Sequence, residues 1–542
     1  MIRILRRTAA IGLFIAAGCS QPPVSIVDIP LLEMNPSGLT PLSGLLTFVT
    51  DQAARPTLRI IDDEGNELTA TPSDAFVTEH EVMVLGLRPD RTNTIELSLE
   101  NESGLVAPAL AIDVETKPLP DIVPPITVNV SRSARMEPGV TFLPVADNDD
   151  GTVGFLVALD SQGDVIWYYD SRPDEPRRLR NGNILMQDDF VERRRLIEID
   201  MLGRKVREWY ATGVVDDPPE GAIPVATDTF HHDVLEMPSG HFLAISTEIR
   251  HNEAYPTSDT DLSAPRVPQD IIVDRIVEFI PETGEIVRDW SLFDLIDPNR
   301  IGQSYDATDF YSDAYDDIVD EPLVDWTHAN GLIYDEAADT LILSIRKMSA
   351  VVKIDLAANE LLWILGDPTG WGPEWADLLL EPDGEVGWPY GQHAPELTPT
   401  GSMLLFDNGS WGRSYPPNEP APIEKRYSRA VEYLVDEENM AVKELWAYGS
   451  LESDRFYSSF ASEADRLPLT GNILIVSGGQ QVDDASNPVY VGYESDTPPR
   501  VSVSVKEVSH DDPSEKFWDI EIDTLDQGWW AYRVERLPSL YP

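Results

Sequence analysis

A single cysteine, Cys19, occurs among the 542 residues, so no intrachain disulfide can form and no thiolate nucleophile or thiolate metal site is available beyond that position. Positive charge is scarce: 40 Lys and Arg stand against 95 Asp and Glu, a formal net charge of -55. Such an excess opposes nucleic acid and anionic membrane surfaces as partners. It reads as a solvated surface suited to a salt-rich medium, and it makes clustered His and Arg informative, because an anion-binding pocket must overcome a repulsive global field with local cations. Long apolar runs are missing too. The run Ile11 to Ala17 is too short for a comfortable membrane span. With 42% hydrophobic and 8% aromatic residues the chain is nevertheless of folded composition, long enough for two or three domains.

The N-terminus, MIRILRRTAAIGLFIAAGC, joins a basic region (Arg3, Arg6, Arg7) to that apolar run and to Gly18-Cys19. It resembles a bacterial lipoprotein signal peptide covering residues 1–19, in which Cys19 becomes the lipidated first residue. A plain secretory signal with an incidental cysteine is the alternative. Ser20 after the cysteine implies, by the same resemblance, a lipid-anchored position at the outer membrane within the cell envelope, on either face, with the anchor as the only membrane contact.

Residues 20–119 alternate apolar and polar side chains over short runs, as in LTFVT and TIELSLENESG, separated by Gly, Pro and Asp. These are strand and hairpin signals at β-sandwich spacing, and VLGLRPDRTNTIELSLE resembles a fibronectin type III strand pair. The Pro-rich stretch Lys117 to Val128 marks a boundary.

From residue 120 to 542 a strand pair ending in Trp recurs, placing Trp167, Trp209, Trp290, Trp363, Trp446 and Trp518 at one position of six repeats. Five short apolar strands, GNILMQ, GHFLAIS, TLILSIR, GSMLLFD and GNILIVS, interleave with them. The pattern predicts an all-β chain: a six-bladed β-propeller preceded by a small fibronectin/Ig-like β-sandwich. The wide intervals between tryptophans require inserts, expected as loops at Asn252 to Asp270 and Pro298 to Val324. The C-terminal run WWAYRVERLPSLY is expected to pair with the first blade and close the ring.

In a propeller the innermost strands face one central channel, so residues at their starts converge. His393 lies eight residues before Gly401, as His232 lies eight before Gly240, and His328 with Asn330 precedes a third such strand. Arg346 follows in LILSIR. Several imidazoles could ligate zinc or iron, yet a neighbouring guanidinium repels a dication, and no metal is expected. Imidazoles, a guanidinium and an amide instead suit a tetrahedral oxyanion with a nucleophile at its centre.

The motifs HHD, WTHANGLIYD followed by LSIR, and QHxPxLxxxGxxxxFDNG resemble the bacterial aryl sulfotransferase (arylsulfate sulfotransferase) family from Val128 to the C-terminus. The resemblance implies transfer of a sulfuryl group from a phenolic sulfate ester to a phenol, with no nucleotide sulfate donor and no cofactor. It assigns His393 as nucleophile, with His328, Asn330 and Arg346 on the sulfate. The remaining site histidine falls on the HHD motif, as His231 or His232, and repeat register favours His232 as acid and base. The family's later hydroxyl-bearing residue is open among Ser458, Ser459 and Ser462. Trp326, Trp388, Tyr390 and Trp411 are candidate walls for an aromatic ring, whereas His80, His241, His251 and His510 read as structural.

His393 is thus expected to form a sulfohistidine, with small aromatic sulfates and phenols as partners. The rival reading is a surface propeller that binds sulfated or aromatic ligands without turnover; a metal-dependent hydrolase is a third. The physiological donor and acceptor, and whether the protein forms a homodimer, are not encoded in these motifs.

Overall fold

A computed structural model of the chain describes residues 22–148, 153–187, 194–214, 218–302, 314–315, 319, 323–417, 422–483, 485–489, 500–524 and 528–542. Cys19 and the expected signal segment lie outside these residues. Two compact units emerge, the smaller comprising 22–33, Leu45–Val84 and Thr92–Glu115. Its organising strand is Ser43–Asp62, twenty residues along which buried and more exposed side chains alternate. That alternation of two allows one face of the strand to bury Leu46, Phe48, Leu58 and Ile60. Strands Glu67–Ala70, Val77–Leu85 and Thr92–Asn101 all pair with it, and Leu110–Glu115 extends the sheet beyond Thr92–Asn101.

The larger unit is also built of strands, grouped among the described residues into six sheets of four or five strands each. The third, fourth, fifth and sixth sheets begin with His231–Glu236, Ala329–Asp335, His393–Leu397 and Glu463–Arg466, and these first strands neighbour one another in chain order. That is the arrangement of a β-propeller, with each sheet a meander running outward from the centre. The ends of the chain close it. Trp529–Trp530 and Glu535–Leu537 pair antiparallel with Val140–Asp147 of the first sheet, as the C-terminal sequence suggested, and Thr127–Ser131 adds to Lys516–Ile522 of the sixth. Both strand edges at the seam are thereby paired.

The repeated tryptophan has a physical role that its position alone did not disclose. Each sits on an outer strand and is buried, and five donate their indole N–H to the next sheet's outer hairpin. Trp167 reaches the Met201 carbonyl (2.9 Å), Trp209 Pro281 (2.7 Å), Trp290 Leu356 (3.0 Å) and Trp446 Asp511 (3.3 Å), while Trp363 reaches the Glu437 carboxylate (3.0 Å). The side chain thus buries a large apolar ring and satisfies a polar group across each sheet-to-sheet joint. At the seam the pattern breaks: the Trp518 indole N–H is buried without an acceptor, and the joint is carried by the added terminal strands.

One insert differs from expectation. Asn252 to Asp270 is a continuation of the hairpin between Phe242–Pro256 and Arg266–Phe279, paired from Phe242↔Phe279 out to Pro256↔Arg266 with one register shift between Asn252 and Tyr255. Its Asp, Tyr and Ser residues suggested a loop, but cross-strand pairing satisfies the backbone of a strand arm whose side chains are mostly solvated, Asn252 and Tyr255 being buried. Most of Pro298 to Val324 lies outside the described residues.

Candidate active site

The inner strands enter the centre through a shared irregularity. His232 (φ 55°), His328 (φ 55°), Ala394 (φ 47°) and Ser462 (φ 85°) all adopt left-handed backbone at the start of their strands. The pairing register shifts between His231 and Val234, between Ala329 and Gly331, and between His393 and Glu396. Such bulges re-aim side chains out of the sheet pleat, and a non-glycine residue held there carries a cost that the surrounding fold must offset. Here they turn imidazoles toward the axis.

His232, His328 and His393 are brought together, as the repeat register implied. The ring of His232 lies 4.9 Å from that of His328 and 5.6 Å from Tyr532, and Tyr532 lies 5.7 Å from His393. Tyr532 comes from the closing C-terminal segment, and its hydroxyl donates to the Asn330 carbonyl at 2.5 Å. Arg533 beside it bonds the His232 carbonyl at 3.1 Å and the Glu463 carboxylate at 2.7 Å. The C-terminus therefore forms part of the centre of the site.

Each imidazole has a different partner. His393 Nδ1 lies 2.7 Å from Asn408 Oδ1, and His328 Nδ1 lies 2.5 Å from Asp325 Oδ2. His232 Nδ1 meets His231 Nδ1 at 2.9 Å. His231, the deeper of the two, places Nε2 3.2 Å from Asp274 Oδ1. Asp325 is shared with Lys347, whose Nζ is 3.2 Å away. Burial first, then the Arg346 charge, pushes the His393 imidazole down to about 3. Burial, then Arg346 and Lys347, holds His328 well below the ordinary histidine range.

Arg346 stands just beyond strand Thr340–Ile345, its side chain 5% exposed and its guanidinium carbon 5.4 Å over the Trp411 ring. Its backbone N–H donates to the His328 carbonyl (3.1 Å) and that of Lys347 to the Thr327 carbonyl (3.1 Å), which ties the cation to the histidine segment. Asn330 is wholly buried and donates its amide Nδ2 to the Gln392 carbonyl at 2.8 Å. Its sulfate-binding role, expected from resemblance, thus competes with a bond inside the fold.

The sulfate contact expected of His328 meets a constraint at its other nitrogen: with Asp325 accepting at Nδ1, the neutral ring carries its lone pair on Nε2. Among the three serines, Ser458 and Ser462 bond each other (2.9 Å) and receive the N–H groups of Gly479 and Gly478 (2.8 and 3.0 Å). Ser459 keeps a buried hydroxyl with no hydrogen bond. Of the candidate aromatic walls, Trp411 reaches Arg346; Trp326 is core, its indole N–H on the Arg300 carbonyl at 3.0 Å. Trp388 and Tyr390 pack with Ile301 and Tyr415. His241, His251 and His510 each pair with a carboxylate, and His80 stacks on Phe48 in the smaller unit.

Several residues escaped sequence reasoning: Asn408, Asp325, Asp274, Lys347, Tyr532, Arg533 and Asp233. The last, the aspartate of HHD, accepts from Arg177 (3.0 Å) and the Leu332 N–H (3.0 Å) and pairs with Arg533 (3.0 Å), which knits the second, third and fourth sheets to the C-terminus. Its place in HHD was the available signal, as FDNG was for Asn408.

Comparison with known proteins agrees with the motifs. Residues 126–533 match the family described as Arylsulfotransferase (ASST), and residues 31–115 match its Arylsulfotransferase Ig-like domain. An "Arylsulfate sulfotransferase AssT" of Lelliottia amnigena is 33% identical over 180 residues, 30% of this chain and 29% of that protein. One of Escherichia coli O6:H1 is 34% identical over 167 residues, 27% of each. These alignments span less than a third of the curated relatives' length. Among solved structures, the Myceliophteria thermophila Cps50 (Swd1) beta-propeller domain is 12% identical with a TM-score of 0.26, covering 74% of this chain and 98% of that one. Matched over three quarters of its length, the chain belongs to the arylsulfotransferase (ASST) family.

Proposed function

We propose that the protein is an aryl sulfotransferase that moves a sulfuryl group from a phenolic sulfate ester to a phenol through a sulfohistidine on His393, without a nucleotide sulfate donor. One observation carries this reading: His393 is buried where the imidazoles converge, in the field of the buried Arg346 guanidinium, and burial and that charge hold its imidazole down to about 3. A nucleophile must keep its lone pair and an anionic sulfate needs a desolvated cation, and His393 and Arg346 meet these two needs.

In the first half-reaction a ring nitrogen of His393 attacks sulfur in line while Arg346 holds the sulfate oxygens. The S–O bond breaks and its electron pair leaves on the phenolate. His232 supplies a proton to that oxygen, and the His231 ring behind it, near Asp274, supports the charge that moves. In the second half an acceptor phenol gives its proton to His232 and attacks the sulfohistidine, which restores both histidines. Lys347 opposes Asp325, so His328 resists protonation and leaves the acid and base work to His232.

Anchoring through a lipidated Cys19 at the outer membrane is part of the same proposal, supported by the N-terminal sequence. Mass spectrometry of the membrane-extracted protein is expected to find an acylated Cys19 start; an intact Met1 refutes the anchor.

Turnover of a chromogenic aryl sulfate, measured with and without phenol, tests the reaction. Acceptor-dependent release with parallel double-reciprocal lines is expected. Binding without turnover favours a ligand-binding propeller, and intersecting lines with an active His393→Ala favour direct transfer between two bound phenols.

A further inference from the structure

The two ends of the Asn408 amide are told apart by their neighbours. Nδ2 lies 3.0 Å from the Ser458 carbonyl and 3.1 Å from the Ala461 carbonyl. Carbonyl oxygens only accept, so the end between them is the NH2. Oδ1 is then the atom 2.7 Å from His393 Nδ1, and being an acceptor it requires the hydrogen on Nδ1. A neutral imidazole has one N–H, which leaves the lone pair on Nε2. The amide cannot turn over without placing oxygen against two carbonyls. Asn408 is fully buried, and its backbone carbonyl accepts from Ser428 Oγ at 2.8 Å. Gly409 next to it needs its glycine: at φ 67° a side chain would fall 2.2 Å from the Tyr427 carbonyl.

We propose that Asn408 is a positioning residue that dictates the His393 tautomer, so that Nε2 is the atom that takes the sulfuryl group, and that the absence of charge on the amide keeps that pair free. The claim deepens the sulfuryl-transfer reading and rests on it for the reaction. The step balances with no proton movement in the ring: the Nε2 pair forms the N–S bond, the S–O pair departs on phenolate oxygen, and Nδ1 keeps its hydrogen on Asn408 throughout. A carboxylate at the same place would favour a proton on the ring and raise the pH below which the attacking pair is lost. It would also oppose loss of the ring as leaving group in the second half. The contrast with His328, backed by Asp325, divides the labour between the two histidines. The charged groups acting on His393 are Arg346 and Arg533, with the neutral His328 as a further ionisable neighbour; Asp407, adjacent to Asn408, is neutralised by Arg413 and Arg429 at 2.7 and 2.9 Å.

The test pairs a spectrum with a pH profile on the full chain. Long-range 1H–15N correlation on 15N-histidine protein, with His393 assigned through His393→Gln among the eight histidines, is expected to show a protonated Nδ1 and a bare Nε2. In Asn408→Asp the acid limb of kcat/KM is expected to move up from about 3 by roughly one to three pH units, with activity lost in mild acid and recovered toward neutral pH. A purely structural role would lower activity evenly across pH and leave the limb in place, which overturns the proposal. If Asn408→Asp does not fold, the wild-type spectrum decides alone, since an Nε2–H tautomer of His393 refutes the assignment. A protonated Nδ1 in a chain that turns over no aryl sulfate would refute the reaction while the hydrogen assignment stands.

Discussion

Arg346 offers the most quantitative test of the site. Its side chain is almost entirely buried, yet the backbone bonds that fix its segment, Arg346 N to the His328 carbonyl and Lys347 N to the Thr327 carbonyl, survive truncation to alanine. The variant therefore keeps its scaffold and loses a desolvated cation. Removing one preorganised donor to a developing oxyanion costs about 3 to 4 kcal/mol, or ~100- to 1000-fold in rate. The same change relieves His393 of a positive neighbour. Burial, the larger cause of its depressed pKa, remains, so the ring is expected to titrate higher than about 3 but still below the ordinary histidine value of 6.5. At pH 7 to 8 the nucleophile is neutral in both proteins, and the rate loss there isolates the oxyanion contribution. Initial rates with a chromogenic aryl sulfate, fitted for kcat and for kcat/KM of the donor across pH 4 to 9, separate the two effects. A kcat/KM within tenfold of wild type at pH 8 refutes the placement of Arg346 on the sulfate. Arg346→Lys, which keeps charge but not the planar fork, is expected to recover only part of the loss.

Three further outcomes are expected. Trp209→Phe should destabilise the chain more than Trp518→Phe by about 1 kcal/mol in urea unfolding, because both lose ring area but Trp209 alone also loses an indole bond, 2.7 Å to Pro281; equal losses refute the joint. Sodium chloride should raise the melting temperature, since -55 of formal charge repels itself and screening shortens that repulsion to ~8 Å at physiological and ~3 Å at molar ionic strength; no rise means the acidic residues are already compensated. Acid should destabilise the fold through its buried neutral imidazoles: the unfolded chain protonates His393 near 6.5 and the folded chain only near about 3, so stability falls as pH drops through that window by roughly 1.4 kcal/mol per unit for this group. His393→Gln should show a shallower slope in denaturant titrations between pH 7 and 5, and an unchanged slope refutes the assignment.

The propeller was legible because its signal repeats. Tryptophan on the outer strand and an apolar second strand recur often enough that insertions between them do not hide the period, and six sheets follow the six repeats among the described residues. The reason for the tryptophan was not legible, since the acceptor of each indole belongs to the next repeat, from 34 residues on for Trp167 to 74 for Trp363. The hairpin arm at Asn252 to Asp270 was misread because a solvated strand pair has the polar composition of a loop.

The site divides along the same line. His232, His328 and His393 stand at the starts of three inner strands, within one residue of the same left-handed position, so repetition in the sequence predicts their convergence, and the short ring distances follow. Their partners do not share it. Asn408 is fifteen residues from His393, Asp325 three from His328 and Asp274 forty-three from His231, and each reaches its imidazole from a different kind of element. Asn408 ends a second strand, Asp325 lies on a short parallel strand, and Asp274 lies within the third strand of its sheet. Repetition can bring like residues to one axis, but it cannot make them chemically unlike. The departures from repetition do that, by giving one ring an amide, one a carboxylate shared with lysine, and one a second imidazole. The closing C-terminal segment, which belongs to no repeat, then inserts Tyr532 between two of them, so the asymmetry a two-step transfer needs enters where the sixfold pattern ends.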